Sequence, residues 1–327
     1  MKIIDSLEQL HIEEDTAVAI GKFDGIHLGH QALLKEILKA KEKGFKAAVF
    51  TFYPSPAVVF GGGEEQLRGT VVEPRFQSLS TREEKRQFLK EAGIDYFVEY
   101  PLDLKTAAID PAEFIQKLLV EQMKVKLVVA GPDLSFGAKG RGDFELLKKY
   151  SEICGYEARQ IDKVCKGGQE ISSTRVRAAV ERGDMKEAEQ CLGNRYAVSG
   201  IVRHGAKLGR SMGFPTVNVI PEKEKLLPPF GVYHSIVTLD GHRYAGVTNI
   251  GRKPTVHQGK DITVETFLFH FAGDAYGKRI RVELLQFVRP ERRFEDQEQL
   301  QHRIDQDVKC AEQFFKANEQ KNLKFTK

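Results

Sequence analysis

Val18–His30, VAIGKFDGIHLGH, decides how the first half of the chain folds. Its apolar start belongs to a run, Ala17 to Ile20, with the length of a buried strand, and Gly21, Gly25 and Gly29 then break any continuous element. Beyond the break, Leu33, Leu34, Ile37 and Leu38 recur at helical spacing. The stretch reads as strand, glycine loop, helix. A helix start offers unpaired backbone N–H groups that attract phosphate, and His27 and His30 stand there as further donors. The pattern points to chemistry on nucleotide phosphates. The alternative is an ordinary pair of loop and first-turn histidines, and here the flanks matter more. Zinc would need further ligands, and no HExxH, CxxC or CxxH pattern lies near the pair. Nor does a GxxxxGK[ST] loop occur anywhere.

The chain has 327 residues, 41% hydrophobic and 29% charged, which is enough for two cores. A net charge of +4 suits anionic ligands without demanding nucleic acid. Small-molecule substrates are the expected partners, with no nucleic acid and no membrane, while the oligomeric state stays open. Cys154, Cys165, Cys191 and Cys310 lie far apart without metal spacing, as reduced thiols in a cytoplasm would, and read as small buried hydrophobes. The N-terminus is too acidic for a signal peptide and no apolar run is long enough to span a membrane, so a cytoplasmic location is expected.

From Val18 to about Asp162, strand-length apolar runs alternate with amphipathic helical stretches, which predicts a parallel sheet flanked by helices. The strands are Ala17 to Lys22, Ala47 to Phe52, Tyr96 to Glu99, Leu127 to Ala130 and Glu157 to Ile161. Ser80 with Glu83 reads as a capping box, and Asp110, Pro111 and Glu113 open another helix. Ligands bind such sheets at the carboxyl ends of the strands, so the following loops matter most. They include TFYPSPAVVF (51–60), with its aromatic surface, and GPDLSFGAKGRGDF (131–144), with Asp133 and Phe136. ISSTRVR (171–177) joins hydroxyls at a helix start to two guanidinium groups, a combination that suits phosphate. Plain roles compete: a cover for the sheet edge, and an N-cap.

Asp184 to Gly193 reads as a short capped helix, and beyond it the pattern changes. Six strands follow without helices between them: Tyr196 to Arg203, Phe214 to Val219, Val232 to Leu239, Tyr244 to Ile250, Thr263 to Phe269 and Ile280 to Val288. Asp240-Gly241 is a hairpin signal. Together they predict a small antiparallel barrel, with a last helix from about Asp296 to Phe315 packed on it. The predicted domains are therefore 1–185 and 186–327. HGAKLGRSMGFPTVN (204–218) ends with Thr216 and Asn218 on one strand face, oxygen donors that could hold magnesium, or else forms a solvated hairpin loop. Glu265, in an apolar strand, is either an edge residue or a carboxylate held for proton transfer.

The two halves together resemble the prokaryotic bifunctional riboflavin kinase and FMN adenylyltransferase (FAD synthetase) family. The resemblance rests on GKFDGIHLGH, TFYPSP, GPDLSFG and ISSTRVR, then LGNRY, GAKLGRSMGFPTVN, PPFGVY, GVTNIGRKPTV, VETF and FVRPERRF, in the family's order. It implies a Rossmann-like nucleotidylyltransferase domain with a parallel sheet, followed by a six-stranded antiparallel barrel of riboflavin kinase type. It further implies phosphorylation of riboflavin to FMN in the barrel and adenylylation of FMN to FAD in the first domain, using ATP and Mg2+. On the matched motifs, Glu265 would be the kinase base, and His27 and His30 would stabilise charge on ATP phosphates. Thr216 and Asn218 would arrange magnesium. The resemblance places Gly21, Phe23, Asp24, Gly29, Ser173, Thr174 and Arg177 around one ATP, and Gly205, Lys207, Gly209 and Arg210 around the other. It places Pro56, Phe60, Asp133, Phe136, Arg289 and Glu291 around flavin.

The chain departs from the family pattern at Ser55, where a histidine is usual, and at Leu134, where an aromatic is common. Phe267 and Phe269-His270 replace a histidine and an aspartate after Glu265. Two other readings are an adenylyltransferase whose barrel only holds flavin, and a flavin-responsive regulator. Intact Thr216, Asn218 and Glu265 oppose the first, and Arg289, Arg292 and Arg293 are too few to build the basic face a regulator would want.

Overall fold

Alternation along Thr16–Ile20 sends Val18 and Ile20 into one core and Ala17 and Ala19 into another, so a single strand separates two hydrophobic layers. That strand, β2, is central in a sheet of β1 (Lys2–Ile4), β3 (Lys46–Tyr53), β4 (Tyr96–Pro101), β5 (Val125–Ala130) and β6 (Glu157–Gln160). The order is β1-β4-β3-β2-β5-β6 and every pairing is parallel. On one face pack α1 (Leu28–Lys39) and α2 (Arg82–Glu91) through Leu33, Leu34, Ile37 and Leu89. On the other lie α3 (Pro111–Glu113, continued as the π-wound Phe114–Gln122) and α4 (Phe144–Cys154). Full burial of side chains such as Phe50 and Phe97 stabilises the layers by roughly 1.5–3 kcal/mol each. The chain runs β2, β3, β4 to one side and then crosses to β5 on the other. The switch point, where such sheets bind ligands, therefore lies at the carboxyl ends of β2 and β5.

The computed structural model describes residues 1–55, 77–204, 214–252 and 262–318. Its chain divides into two compact units, Met1–Ser173 and Thr174–Lys327. The five predicted strands of the first unit are present with small shifts at their ends. A sixth, β1, was not foreseen: three residues show no period, and Lys2–Ile4 becomes a strand only by pairing with Tyr96, Phe97 and Val98. The small hairpin β7 (Cys165–Lys166) and β8 (Gln169–Glu170) was also missed. The capping box lies one residue later than predicted. Thr81 caps α2 reciprocally with Glu84, because the Ser80 hydroxyl instead accepts a hydrogen bond from the Gly25 N–H at 2.9 Å.

The second unit begins one residue into α5 (Ser173–Glu181) and continues with α6 (Met185–Leu192), the latter capped by Asp184 and ended by Gly193 as predicted. The compact division thus falls earlier than residue 185. Arg175 on α5 pairs with Glu187 on α6 at 3.0 Å, and α6 packs on the last barrel strand, Arg279–Pro290. The barrel is closed and antiparallel, from β9 (Ala197–Arg203), β10 (Thr216–Val219), β11 (Gly231–Leu239), β12 (His242–Arg252), β13 (Ile262–Leu268) and β14 (Arg279–Pro290). Asp240 and Gly241, both at positive φ, make the β11–β12 turn. Inside, the hydroxyls of Ser235, Thr248 and Thr266 are fully buried and linked by two 2.7 Å hydrogen bonds. The terminal helix α7 (Gln297–Asn318) covers Ile236 and Ala245 with Ala311 and Phe315.

Of the cysteines, all free, Cys191 is buried and Cys154 half-buried, but Cys165 and Cys310 are exposed. The expectation of burial fails for those two because one sits in the small hairpin and the other on the solvent side of α7. Among the described residues no helix is long and apolar enough to cross a membrane.

Candidate active sites

The loop after β2 is held in a conformation that few residues adopt unaided. Phe23, Gly25 and Ile26 all have positive φ, and the first and last are non-glycine side chains anchored in the core. Other segments hold the backbone. The Lys22 carbonyl accepts from Thr51 Oγ1 at 3.2 Å and from Lys85 Nζ at 3.3 Å, and the Ile26 carbonyl accepts from Gln31 Nε2 at 2.9 Å. The Asp24 carbonyl accepts from Ser173 Oγ at 2.9 Å, which ties the last residue of the first unit to the loop. Asp24 Oδ1 accepts from the N–H groups of Leu79 (2.8 Å) and Ser80 (3.4 Å). Asp24, expected beside ATP, is thus a loop anchor, since that carboxylate oxygen is already taken up by backbone. Phe23 is likewise buried and can offer a nucleotide only its backbone.

His27 is the N-cap of α1, and its Nδ1 accepts from the His30 N–H at 3.4 Å. The neutral ring therefore carries its proton on Nε2 and can donate it to a phosphate oxygen. His30 stacks on His27 with ring centroids 3.8 Å apart and meets Phe23 at 4.9 Å. It keeps part of its surface exposed, but its Nδ1 is sealed with no hydrogen-bond partner among the described residues. A Cβ at Gly29 would lie 3.1 Å from the His27 ring, so the glycine is what lets the ring fold over the helix start. At Gly21 a Cβ would come within 3.2 Å of Phe23. Burial pushes His27 down to about 4. Burial, then the neighbouring charges of His27 and Lys85, hold His30 well below the ordinary imidazole range. Both rings are neutral hydrogen-bonding groups at pH 7.

The remaining predicted residues of this half fall into different environments. Thr174 and Arg177 lie three residues apart on the first turns of α5, whereas Arg175, the other guanidinium of the motif, is held by Glu187. Asp133 is exposed and pairs with Lys163 at 3.0 Å. Phe136 is 2% exposed with its ring 4.9 Å from Phe114, so it supports the loop from the core and has no free face for a flavin to stack on. Pro56 and Phe60 lie outside the described residues. Ser55 Oγ is buried without a partner among the described residues, and Leu134 packs half-buried on the core.

In the barrel, strand register makes a row that the sequence does not display. Asn218 on β10 faces Glu265 on β13, which faces Asn249 on β12. Val264 and Thr266 are fully buried, so Glu265, half-buried, lies on the opposite, outer side of its strand. Asn218 Oδ1 is buried without a hydrogen-bond partner among the described residues, while its amide reaches Thr216 Oγ1 at 3.4 Å. Thr216 and Asn218 line a cavity of about 370 Å³ that Phe271, Asp274 and Tyr276 enclose from the loop after β13. This loop was missed, as nothing in it carries a motif. Phe267, opposite Thr216, stands edge-on to Phe214 at 5.2 Å and to Phe269 at 5.5 Å, while His270 turns the chain at positive φ. The expected polar pattern is thus an apolar wall. Gly205, Lys207, Gly209 and Arg210 lie outside the described residues.

Arg289 and Glu291 separate. Arg289 donates through Nε to both oxygens of Asp307 at 3.0 Å, and Arg303 adds a 3.3 Å contact to the same buried carboxylate. In this structure Arg289 locks the terminal helix instead of facing a flavin, because α7 carries an acid at the position where β14 ends. The Glu291 carboxylate occupies the space that a Cβ at Gly251 would need. Gly251 pairs with Thr263, two residues along from Asn249 and Glu265 and so on the same side of the sheet, which brings a second carboxylate to the face that carries Glu265.

Buried histidines give the fold a defined acid limit. His234, under α7, has neither ring nitrogen paired among the described residues, and its ring lies 4.4 Å from Phe314. Burial pushes it down to about 4, against the opposing pull of Asp307. For His27 and His234 the folded value lies below the 6.5 of an ordinary imidazole, so the unfolded chain binds more protons between pH 6.5 and about 4. Their contribution is complete above about pH 6.5 and falls as the pH drops towards 4, by roughly 3 kcal/mol per group. Denaturant unfolding at pH 7.5 and pH 5 should show the loss, and His234→Phe should flatten its share. Equal stability at the two pH values would contradict the burial argument.

Comparison with known proteins places this geometry. The FAD synthetase family model matches residues 9–175 and the riboflavin kinase model residues 192–315. The bifunctional riboflavin kinase/FMN adenylyltransferase of Escherichia coli is 36% identical over 319 residues, covering 96% of this chain and 98% of its own. The Bacillus subtilis protein of the same name is 33% identical over 325 residues, covering 96% and 98%. A crystal structure described as a macrolide-efflux protein from Streptococcus pneumoniae superimposes with a TM-score of 0.82 at 28% identity, over 95% of this chain and 99% of that one. With both family models matched in order and relatives aligned from end to end, the chain belongs to the bifunctional riboflavin kinase/FMN adenylyltransferase family.

Proposed function

We propose that this chain makes FAD from riboflavin in two steps, one per unit. The observation that carries the reading is that each half holds the core of its own site. One has two neutral histidines over a helix start at the switch point of a parallel sheet; the other has a carboxylate between two amides beside a cavity. In the barrel, the primary hydroxyl of the riboflavin side chain attacks the γ-phosphorus of ATP. Glu265 accepts the hydroxyl proton, and ADP leaves. In the first unit, a phosphate oxygen of FMN attacks the α-phosphorus of a second ATP and pyrophosphate leaves, with no protein nucleophile. His27 donates from Nε2 to the phosphates as charge shifts.

Magnesium fits the donor set. Asn218 Oδ1 is a buried oxygen with no hydrogen-bond partner among the described residues, beside the Thr216 hydroxyl, and hard oxygen donors of this kind hold magnesium together with nucleotide phosphates. When bound, the ion would neutralise phosphate charge. We assign the adenylyltransferase to 1–185 and the kinase to 186–327, with Gly205, Lys207, Gly209 and Arg210 near the kinase ATP and Pro56 and Phe60 near FMN. Four free cysteines support a cytoplasmic location.

Incubation of the purified chain with riboflavin, ATP and Mg2+, with flavins separated over time, should show FMN rising and then passing into FAD. Untouched riboflavin alongside conversion of added FMN would reduce the barrel to a holder of flavin. No change in either flavin would overturn the reading.

A further inference from the structure

The segment from Leu79 to Arg86 holds the histidine loop from a second side, and the first turn of α2 brings a cation to it. Leu79 and Ser80 fix Asp24 and Gly25, and Lys85 Nζ donates to the Lys22 carbonyl at 3.3 Å. Its charge adds to burial and to the charge of His27 in lowering the basicity of His30. The helix carrying Lys85 is fixed in rotation. Arg82 and Arg86, one turn apart on α2, both donate through Nε to Glu99 Oε2 at 2.9 Å, and both reach Asp5, at 3.0 and 3.3 Å. The Glu99 side chain is 1% exposed, so two guanidinium groups grip a carboxylate that cannot move. Lys85 precedes Arg86 by one residue, turned from it by about 100° around the helix, towards the loop.

The chemistry needs such a group. Two neutral imidazoles donate hydrogen bonds but bring no net charge, whereas displacing pyrophosphate from ATP moves negative charge onto the departing oxygens. We propose that Lys85 is a further substrate-contacting residue of the adenylyl-transfer site, its ammonium meeting the phosphates that leave as pyrophosphate. This rests on the adenylyl-transfer reading of the first unit. The Lys22 carbonyl holds the ammonium at the loop before nucleotide arrives, and α2 keeps it there because its arginines leave the helix no freedom to turn.

The test compares the full chain with Lys85→Ala and Lys85→Arg for FMN-to-FAD conversion at varied ATP and for inhibition by added pyrophosphate. Riboflavin phosphorylation by the same preparations reports that the chain is folded. Lys85→Ala should lower kcat/KM for ATP by about 10- to 100-fold and weaken pyrophosphate inhibition in parallel, as loss of a charge-assisted contact does. Lys85→Arg should recover most of both, which a packing defect would not do. Normal FAD formation with Lys85→Ala within about twofold of the parent in both measurements overturns the role of Lys85 alone. A parent chain that forms no FAD from FMN overturns the adenylyl-transfer reading and this inference with it.

Discussion

Glu265→Gln is expected to stop FMN formation, lowering its rate by roughly 10²- to 10⁴-fold, while conversion of added FMN to FAD continues. The amide has nearly the shape of the carboxylate, so the row from Asn218 through residue 265 to Asn249 and the barrel register should persist. What disappears is a group able to take the proton of the attacking hydroxyl. Nucleotide binding in the cavity beside Thr216 and Asn218 should change little, so the loss should appear in kcat more than in KM for ATP. A Glu265→Gln chain that phosphorylates riboflavin at the parent rate would remove Glu265 from the chemistry. The second carboxylate on that face, Glu291 over Gly251, would then be the group to examine.

The complementary expectation concerns the histidine pair. His27→Asn should cut FMN-to-FAD conversion by about 10²- to 10³-fold, the usual cost of removing a donor aimed at developing charge. Asparagine is chosen because it is among the best N-caps, so it can accept from the His30 N–H as His27 Nδ1 does and keep α1 intact. His30→Asn should act in the same direction, since it also removes the ring stacked 3.8 Å from His27. Riboflavin phosphorylation by both variants should stay at the parent level. Retained FAD synthesis in His27→Asn would mean that the backbone N–H groups of the helix start suffice and the imidazole is only a cap.

Much of this molecule is written locally. The strand, glycine loop and helix of 17–38, the Asp110-Pro111 and Asp184 helix starts, the Asp240-Gly241 turn and six barrel strands all follow from periods and turn residues within a few positions of one another. Those features establish a parallel α/β unit followed by an antiparallel barrel, and the quoted motifs mark both sites. Other assignments depended on partners far along the chain. Asp24 looks like a ligand until Leu79 and Ser80, more than fifty residues away, turn out to use its carboxylate. Phe136 looks like a flavin platform until α3 buries it, and Arg289 looks mobile until α7 brings Asp307 against it. Lys2–Ile4 is a strand only beside β4, and Asn249 joins Glu265 only because β12 and β13 pair in that register. Sequence alone determined most of the strands and helices and where the reactive side chains lie along them, because period, capping and turn chemistry act over a few residues. The tertiary structure decided which of those side chains are left to face a substrate, because register and burial are set by contacts between segments that the order of residues does not place side by side.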